Sequence, residues 1–119
     1  MNVPVRTWQE HAPLAIVDVH YTENGAMAAC AVATGWTDEI PSEEQTTVVP
    51  TVRPYRPGAF FERELPCILQ VLSLVQTEYR VIVIDGYVDL DERGTPGLGG
   101  HLYARFEGSL AVIGVAKTA

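Results

Sequence analysis

The sequence predicts an α/β fold in which a mixed sheet starts as a hairpin meander and continues through crossover helices. Three observations lead to this prediction. The dipeptide Asn24-Gly25 separates two apolar segments and is a strong hairpin signal. Apolar residues recur at helical spacing over residues 66–76. The unbroken β-branched run at 80–84 that follows is typical of a central strand buried on both faces.

The first half of the chain reads as three strands. Residues 14–21 predict the first strand, and the small apolar residues 26–34 predict the strand that returns from the Asn-Gly turn. The β-branched residues at 46–53 predict a third strand, which Pro50 interrupts. A stiff turn follows at 54–58, because two prolines fix φ and a glycine permits a bend.

The second half alternates helices and strands. Pro66 suits the first turn of the helix over 66–76, and the strand at 80–84 comes next. The remaining elements are a loop, a short helix and a last buried strand, over residues 94–100, 101–106 and 110–115. A meander, a crossover helix, a parallel strand, a second crossover and a final strand give a mixed sheet of ribonuclease H type.

Composition limits the class of protein. A chain of 119 residues with 47% hydrophobic residues is one globular domain without an apolar stretch long enough to span a bilayer. Cys30 and Cys67 lie in apolar stretches without metal-like spacing, which indicates reduced core thiols in a cytoplasmic protein. The net charge of −7 argues against a simple electrostatic grip on nucleic acid. Four of the 15 acidic residues cluster in segment 34–45, which we expect to be an exposed loop.

Three carboxylates stand out as candidate ligands. Asp18 interrupts a buried-looking strand, Asp85 ends another just before Gly86, and Glu64 lies at the expected start of the helix. A carboxylate in a buried strand is costly unless it is paired or bound to metal, so two such strands indicate a shared site for a hard cation. We expect the two strands to be adjacent and parallel with Glu64 beside them. Crowding of like charges should raise at least one pKa.

Taken singly, each acid also has an ordinary structural explanation. Asp18 can form an ion pair with Arg63 or Lys117. Asp85 before a glycine is common where a strand ends in a turn. Glu64 can be an acid that the helix dipole favours near an N-terminus. Only the joint arrangement of the three favours a metal site.

Four segments resemble the endonuclease V family in kind and in order. They are Val17-Asp18-Val19-His20-Tyr21, Pro54-Tyr55-Arg56-Pro57-Gly58 with Arg63-Glu64, Val83-Ile84-Asp85-Gly86, and Ile113-Gly114-Val115-Ala116-Lys117. The resemblance covers nearly the whole chain. It implies a ribonuclease H-like fold and an Mg²⁺-dependent endonuclease that cuts DNA or RNA on the 3′ side of hypoxanthine. It also implies that Asp18, Glu64 and Asp85 are catalytic metal ligands and that Lys117 places a positive charge beside the scissile phosphate.

The resemblance also implies residues that bind the substrate. Tyr55, mounted between prolines, matches a wedge that separates strands beside the lesion. Gly86 and the loop after it would back a pocket for a flipped base, and His101 would touch phosphate. Without the resemblance, Tyr55 would be read as a packed surface aromatic and Lys117 as a solvated charge near the chain end.

The chain also departs from the family pattern. Asp91 falls where the family carries a histidine, and its negative charge would oppose a phosphate backbone. Leu65 replaces a glycine, and the chain, one domain over 1–119, lacks the family's C-terminal third. These departures favour an alternative function, a catalytically impaired relative that binds a partner or forms oligomers. Because few helices are available to cover both sheet faces, we expect a homodimer through a bare face or edge.

Overall fold

A five-stranded mixed sheet carries two helices in the computed structural model, which describes residues 13–23, 25–50, 60–86 and 90–115. The elements are β1 (Leu14–Thr22), β2 (Gly25–Ala33), β3 (Glu43–Val49), α1 (Phe60–Leu72), β4 (Val81–Asp85), α2 (Leu98–Arg105) and β5 (Ala111–Val115). The strand order is β3-β2-β1-β4-β5. The first three strands are antiparallel neighbours, whereas β4 runs parallel to β1 and β5. The predicted α/β meander followed by crossover helices is confirmed.

The turn between β1 and β2 falls where the sequence predicted it. Thr22 pairs with Gly25, which leaves two residues in the loop. Gly25 has φ 131°, a backbone conformation that residues with a side chain rarely adopt. A Cβ at this position would also collide with the carbonyl oxygen of Val49. Glycine is therefore required where the hairpin passes the end of β3.

Helix α1 begins six residues before the predicted start and ends four residues before the predicted end. Pro66 therefore lies inside the helix rather than in its first turn, at a cost of up to about 3 kcal/mol. The upstream side chains Phe61 and Leu65 pack against the core. Burial of these two side chains offsets the proline penalty. Tertiary packing therefore extends the helix upstream of Pro66, where local propensity predicted that it would start.

Two other boundaries differ from the prediction. Helix α2 begins at Leu98 and takes in two glycines expected in a loop, because Leu98 and Leu102 are both buried. Strand β3 begins at Glu43, inside the segment expected to be an exposed loop, and pairs with β2 from that residue onward. The last part of the predicted third strand, 51–53, lies outside the described residues. The other four strands agree with the prediction to within one residue at each end.

Both helices pack on one face of the sheet, which we call the covered face. The core there joins alternate strand residues, such as Val17 and Ile82, to Ile68 and Val71 of α1 and Leu102 of α2. Each of these side chains is at most 4% exposed. Full burial of a large aliphatic side chain contributes about 1.5–3 kcal/mol, so this layer supplies most of the stability of the described fold.

The opposite face, which we call the open face, is buried only at one end. Leu14 and Val81 form a small buried cluster there. Five apolar side chains on their side of the pleat are exposed: Ile16 44%, Met27 47%, Val48 62%, Ile113 36% and Val115 57%. The expectation that one sheet face is left partly bare is confirmed for the described part of the chain.

The two cysteines are core side chains, as predicted. Cys30 and Cys67 are free thiols, at 2% and 1% exposure. Burial, with a smaller contribution from Glu43, raises the pKa of the Cys30 thiol to about 11. Within the described ranges, neither helix is long and apolar enough to cross a membrane.

Candidate active site

Asp18 and Asp85 lie on the two central strands, which are parallel neighbours. Leu14 pairs with Val81 and Ile16 with Val83 in the parallel ladder, which ends there, and Asp18 and Asp85 each lie two residues farther along their strands. Residues two apart on a strand point to the same face, so both aspartates share the face of Ile16 and Val83. The predicted adjacency of the two strands is therefore confirmed, and both aspartates are on the open face.

The aspartate pair borders an open cavity of about 370 Å³, next to the point where the pairing of β1 with β4 ends. The lining residues are Ile16, Val17, Asp18, Val83, Ile84, Asp85 and Val115. Both carboxylates are exposed, so the sequence-based expectation that they are buried is wrong. Near the aspartates, β1 and β4 are buried on the covered face but not on the open face. Water can therefore solvate an aspartate on the open face. The burial cost that suggested a metal therefore applies to a different residue.

That residue is Glu64, which is 7% exposed and is the one buried charged side chain in the described ranges. It is the fifth residue of α1, beyond the first turn, so the explanation as an N-terminal helix acid is wrong. The hydroxyl of Tyr21 donates a hydrogen bond to Glu64 Oε2. The guanidinium of Arg63 lies over the Tyr21 ring, 3.9 Å from its centroid. Arg63, the suggested partner of Asp18, thus stacks on an aromatic ring.

Burial is the main reason that the pKa of Glu64 is raised above its ordinary value. The Tyr21 hydrogen bond opposes this effect, and repulsion from Asp18 and then Asp85 adds to it. A raised pKa was predicted from crowding of the acids, but desolvation contributes more than crowding. Burial also raises the pKa of Tyr21, as does its bond to Glu64, so the phenol keeps its proton and acts as a donor.

The three acids do not form one compact group. In the described ranges, no three His, Cys, Asp or Glu side chains are placed together so that they could hold a metal ion. The shared three-carboxylate site stays a prediction, since Asp18 and Asp85 are on the open face and Glu64 belongs to the helix on the covered face. The donor chemistry still suits a hard divalent cation, because carboxylate oxygens are the ligands that Mg²⁺ and Mn²⁺ prefer. Both aspartates act electrostatically on Glu64 across the sheet.

Comparison with known proteins decides the family. The endonuclease V family profile matches residues 4–119. The chain belongs to the endonuclease V family. It is 33% identical over 106 residues to endonuclease V from Nostoc sp., an alignment that covers 88% of this chain and 47% of that relative. The chain therefore spans about half the length of the curated endonuclease V relatives that it matches.

Solved endonuclease V structures share the fold. The Streptomyces avermitilis enzyme superimposes with a TM-score of 0.77 at 32% identity, covering 92% of this chain and 47% of that one. Endonuclease V from Ciona intestinalis, solved in complex with a 24mer DNA containing an inosine followed by a ribo-adenosine, gives a TM-score of 0.75 at 24% identity. That match covers 91% of this chain and 47% of the Ciona chain. The predicted ribonuclease H-like fold is confirmed.

The structure describes two of the four other residues that the family resemblance implies, Gly86 and His101. Tyr55 and Lys117 lie outside the described residues. Gly86 follows β4 with φ 151°, a glycine conformation, and its N–H donates to the carbonyl of Val115 at 2.8 Å. This bond ties Gly86 to β5, so its backbone donor is occupied in the described structure.

His101 lies in α2, and its ring stacks on Phe61 of α1. The ring centroids are 3.7 Å apart and the ring planes differ by 17°. This contact joins the two helices of the covered face. A role of His101 at phosphate stays a prediction.

Asp91, the acid at the position of a family histidine, accepts hydrogen bonds within its own loop. Its donors are the backbone N–H of Arg93 at 2.9 Å, the N–H of Thr95 at 3.2 Å and the Thr95 hydroxyl at 2.8 Å. The Thr95 hydroxyl and N–H are the main reasons that its pKa is lowered. The carboxylate therefore organises its loop, a role that the sequence comparison alone did not indicate.

Sequence reasoning missed the contact between Tyr21 and Glu64. A usable signal was present, because Val17, Val19 and Tyr21 alternate on one side of β1 and point toward the helix layer. A phenol in that row needs a hydrogen-bond partner, and an acid on the packed helix is the natural candidate.

Proposed function

We propose that this chain provides the metal-binding part of an endonuclease that hydrolyses a phosphodiester bond 3′ of inosine in DNA or RNA. The observation that carries the proposal is the aspartate pair, which shares one face of two parallel neighbouring strands, lines one cavity and is open to solvent. Ligands of α/β proteins commonly bind beyond the carboxyl ends of such strands. Membership of the endonuclease V family supports the reaction type.

In this proposal, Asp18 and Asp85 hold Mg²⁺ or Mn²⁺, and Glu64 contributes a third carboxylate from α1. When bound, such a cation activates water and stabilises charge on the leaving oxygen. The aspartates need little desolvation to bind it, since both are exposed. Charge neutralisation by the cation also relieves repulsion among the three acids.

Inosine recognition is supported by the Ciona complex, in which endonuclease V was solved with inosine-containing DNA. By the family pattern, Tyr55 wedges beside the lesion and Lys117 lies at the phosphate. Gly86 would back the base pocket and His101 would contact phosphate. We expect the protein to act in the cytoplasm, because its two buried cysteines are free thiols.

The test is cleavage of single-stranded DNA and RNA oligonucleotides with one inosine, with and without Mg²⁺ or Mn²⁺. Removing an outer-shell partner of a metal costs about 10- to 100-fold, so Asp18→Asn or Asp85→Asn should cost on the order of 100-fold or more. Both variants should also lose the stabilisation by metal, which is about 2.7 kcal/mol at a free metal concentration of 100 times Kd and is measured as a rise in melting temperature.

Glu44→Gln is the matched control, because Glu44 is an exposed acid on β3 and the substitution removes the same charge. The control should cleave and respond to metal like the wild type. Equal metal responses in Asp18→Asn and the wild type would place the ions elsewhere and defeat the proposal. Cleavage of oligonucleotides without inosine at the same rate would defeat the assigned specificity.

The open face supports the alternative function, a catalytically impaired relative that binds a partner or a second copy. Its exposed residues Ile16, Met27, Val48, Ile113 and Val115 form an apolar surface around the aspartates. Exposed apolar patches commonly mark interfaces. Homodimerisation through this face stays a prediction. It is compatible with metal binding only if the aspartate end of the face remains accessible.

A further inference from the structure

Strand β1 carries a candidate metal ligand on one face and a hydrogen-bond donor to a second ligand on the other. Asp18 points to the open face, and Tyr21, three residues later, points to the covered face. The Tyr21 hydroxyl donates to Glu64 Oε2. Strand β1 therefore carries one of the three acids assigned to the metal and contacts a second.

Arg63 holds the Tyr21 ring from the side of the helix. Its guanidinium carbon is 3.9 Å from the ring centroid, a cation–π distance. The Arg63 Nε is buried and has no hydrogen-bond partner in the described structure. Tyr21 lies between two consecutive residues of α1, one bonded to its hydroxyl and one stacked on its ring.

We propose that Tyr21, braced by Arg63, is a positioning residue that fixes the Glu64 carboxylate for the divalent cation. This inference rests on the function proposed above. A carboxylate has two oxygens, so a hydrogen bond at Oε2 is compatible with metal coordination through Oε1. Fixing the side chain before binding lowers the entropy lost when the cation binds. Outer-shell hydrogen bonds to ligating carboxylates generally have this effect.

The alternative is that Tyr21 is only a packing residue between β1 and α1. Packing and positioning make different predictions, because Tyr21→Phe keeps the ring, and with it the Arg63 stacking, but removes the hydroxyl. A packing residue would change stability and leave metal affinity alone. A positioning residue changes metal affinity, and does so only while Glu64 can coordinate.

The experiment measures Mn²⁺ affinity of the full chain by electron paramagnetic resonance, with circular dichroism to verify folding. Tyr21→Phe should weaken Mn²⁺ binding about tenfold. The control is Tyr103→Phe, which removes the hydroxyl of a tyrosine that is 48% exposed on α2, and its affinity should equal the wild type. In a double-mutant cycle, Tyr21→Phe should have no further effect in the Glu64→Gln background.

Three outcomes overturn the inference. They are unchanged affinity in Tyr21→Phe, tighter binding in that variant, or an equal loss with and without Glu64. If Tyr21→Phe does not fold, Arg63→Lys provides the test, since it keeps the charge but removes the planar group stacked on Tyr21. Its affinity should fall about threefold, by less than loss of the hydroxyl. Unchanged affinity there also overturns the inference.

Failure of the proposed function gives a different pattern. If the wild type binds Mn²⁺ and cleaves inosine-containing strands but Tyr21→Phe matches it, only the positioning role is lost. If the wild type binds no Mn²⁺, the metal site itself is wrong and the positioning role falls with it. If it binds Mn²⁺ with the expected Tyr21 dependence but cleaves nothing, the positioning role stands and the endonuclease assignment does not.

Discussion

The two faces of the sheet differ in what they contribute. The covered face holds the helices and the core, and Ile82 there is 0% exposed. The open face holds the aspartate pair among exposed apolar side chains, and Ile113, on the neighbouring strand, is 36% exposed. Stability therefore comes mainly from one face and ligand access from the other. The candidate site spans both, because Glu64 approaches from the covered side.

The largest expected effect is a difference in stability between alanine variants of one isoleucine on each face. Ile82→Ala should lower the free energy of unfolding by about 3 kcal/mol, since it opens a cavity in a packed layer. Ile113→Ala removes the same atoms from a half-exposed position on the adjacent strand and should cost less than about 1 kcal/mol. Urea denaturation followed by circular dichroism measures both values.

Equal losses at the two positions would break the comparison, because they would show that Ile113 is covered in solution. A cost at Ile113 that grows with protein concentration would identify a second copy as the cover. A cost independent of concentration would place the cover within the chain.

The division between the faces was partly predictable from the sequence. Alternation in β1 sets Val17 and Asp18 on opposite sides, and the apolar spacing of the helix residues identifies Ile68 and Val71 as its buried side. The alternation does not show which face of the sheet the helices pack on, because that depends on tertiary contacts. The start of α1 was missed for the same reason, because the packing of Phe61 outweighs the local signal of Pro66.

The homodimer predicted to form through the open face gives the next effect in size. Met27 and Val48 face each other across β2 and β3 and are 47% and 62% exposed. Replacing both with glutamine should weaken a homodimer at least about tenfold, because their apolar area would no longer be removed from water. Light scattering coupled to size exclusion, run across micromolar concentrations, measures the shift.

Leu74→Gln is the control for this experiment, since Leu74 is 41% exposed but follows α1 and is not on the sheet. It should leave association unchanged. Added salt should strengthen the dimer, because it screens repulsion between chains of net charge −7. A monomer at every concentration and salt level would rule out the homodimer.

The candidate site was predictable where it depends on strand order and not where it depends on side-chain partners. The pattern around Asp18 and Asp85 was enough to place them on adjacent parallel strands. Their exposure and the burial of Glu64 depend on where the helices lie. The bonds from Tyr21 to Glu64 and from Thr95 to Asp91 join residues whose pairing needs the folded backbone.

The smallest expected effect concerns Glu43, an acid on the covered side of β3 that holds the chain after α1. It accepts hydrogen bonds from the Thr77 hydroxyl at 2.6 Å, the Thr77 N–H at 2.8 Å, the Gln76 N–H at 2.9 Å and Gln45 Nε2 at 2.7 Å. The Thr77 hydroxyl, followed by Gln45, is the main reason that the pKa of Glu43 is lowered to about 2. A charged carboxylate thus ties the end of the helix to the sheet.

A lowered pKa in the folded state gives stability that is full above the unfolded-state pKa of about 4.3 and is lost as the pH falls toward 2. Glu43→Gln should therefore melt below the wild type at pH 7, and the difference should shrink steadily between pH 5 and pH 2. Glu44→Gln, one residue away on the open face, should lower the melting temperature less at pH 7, since Glu44 is an exposed acid. A Glu43→Gln difference that stays constant down to pH 2 would mean that the geometry of the side chain, and not its charge, stabilises this junction.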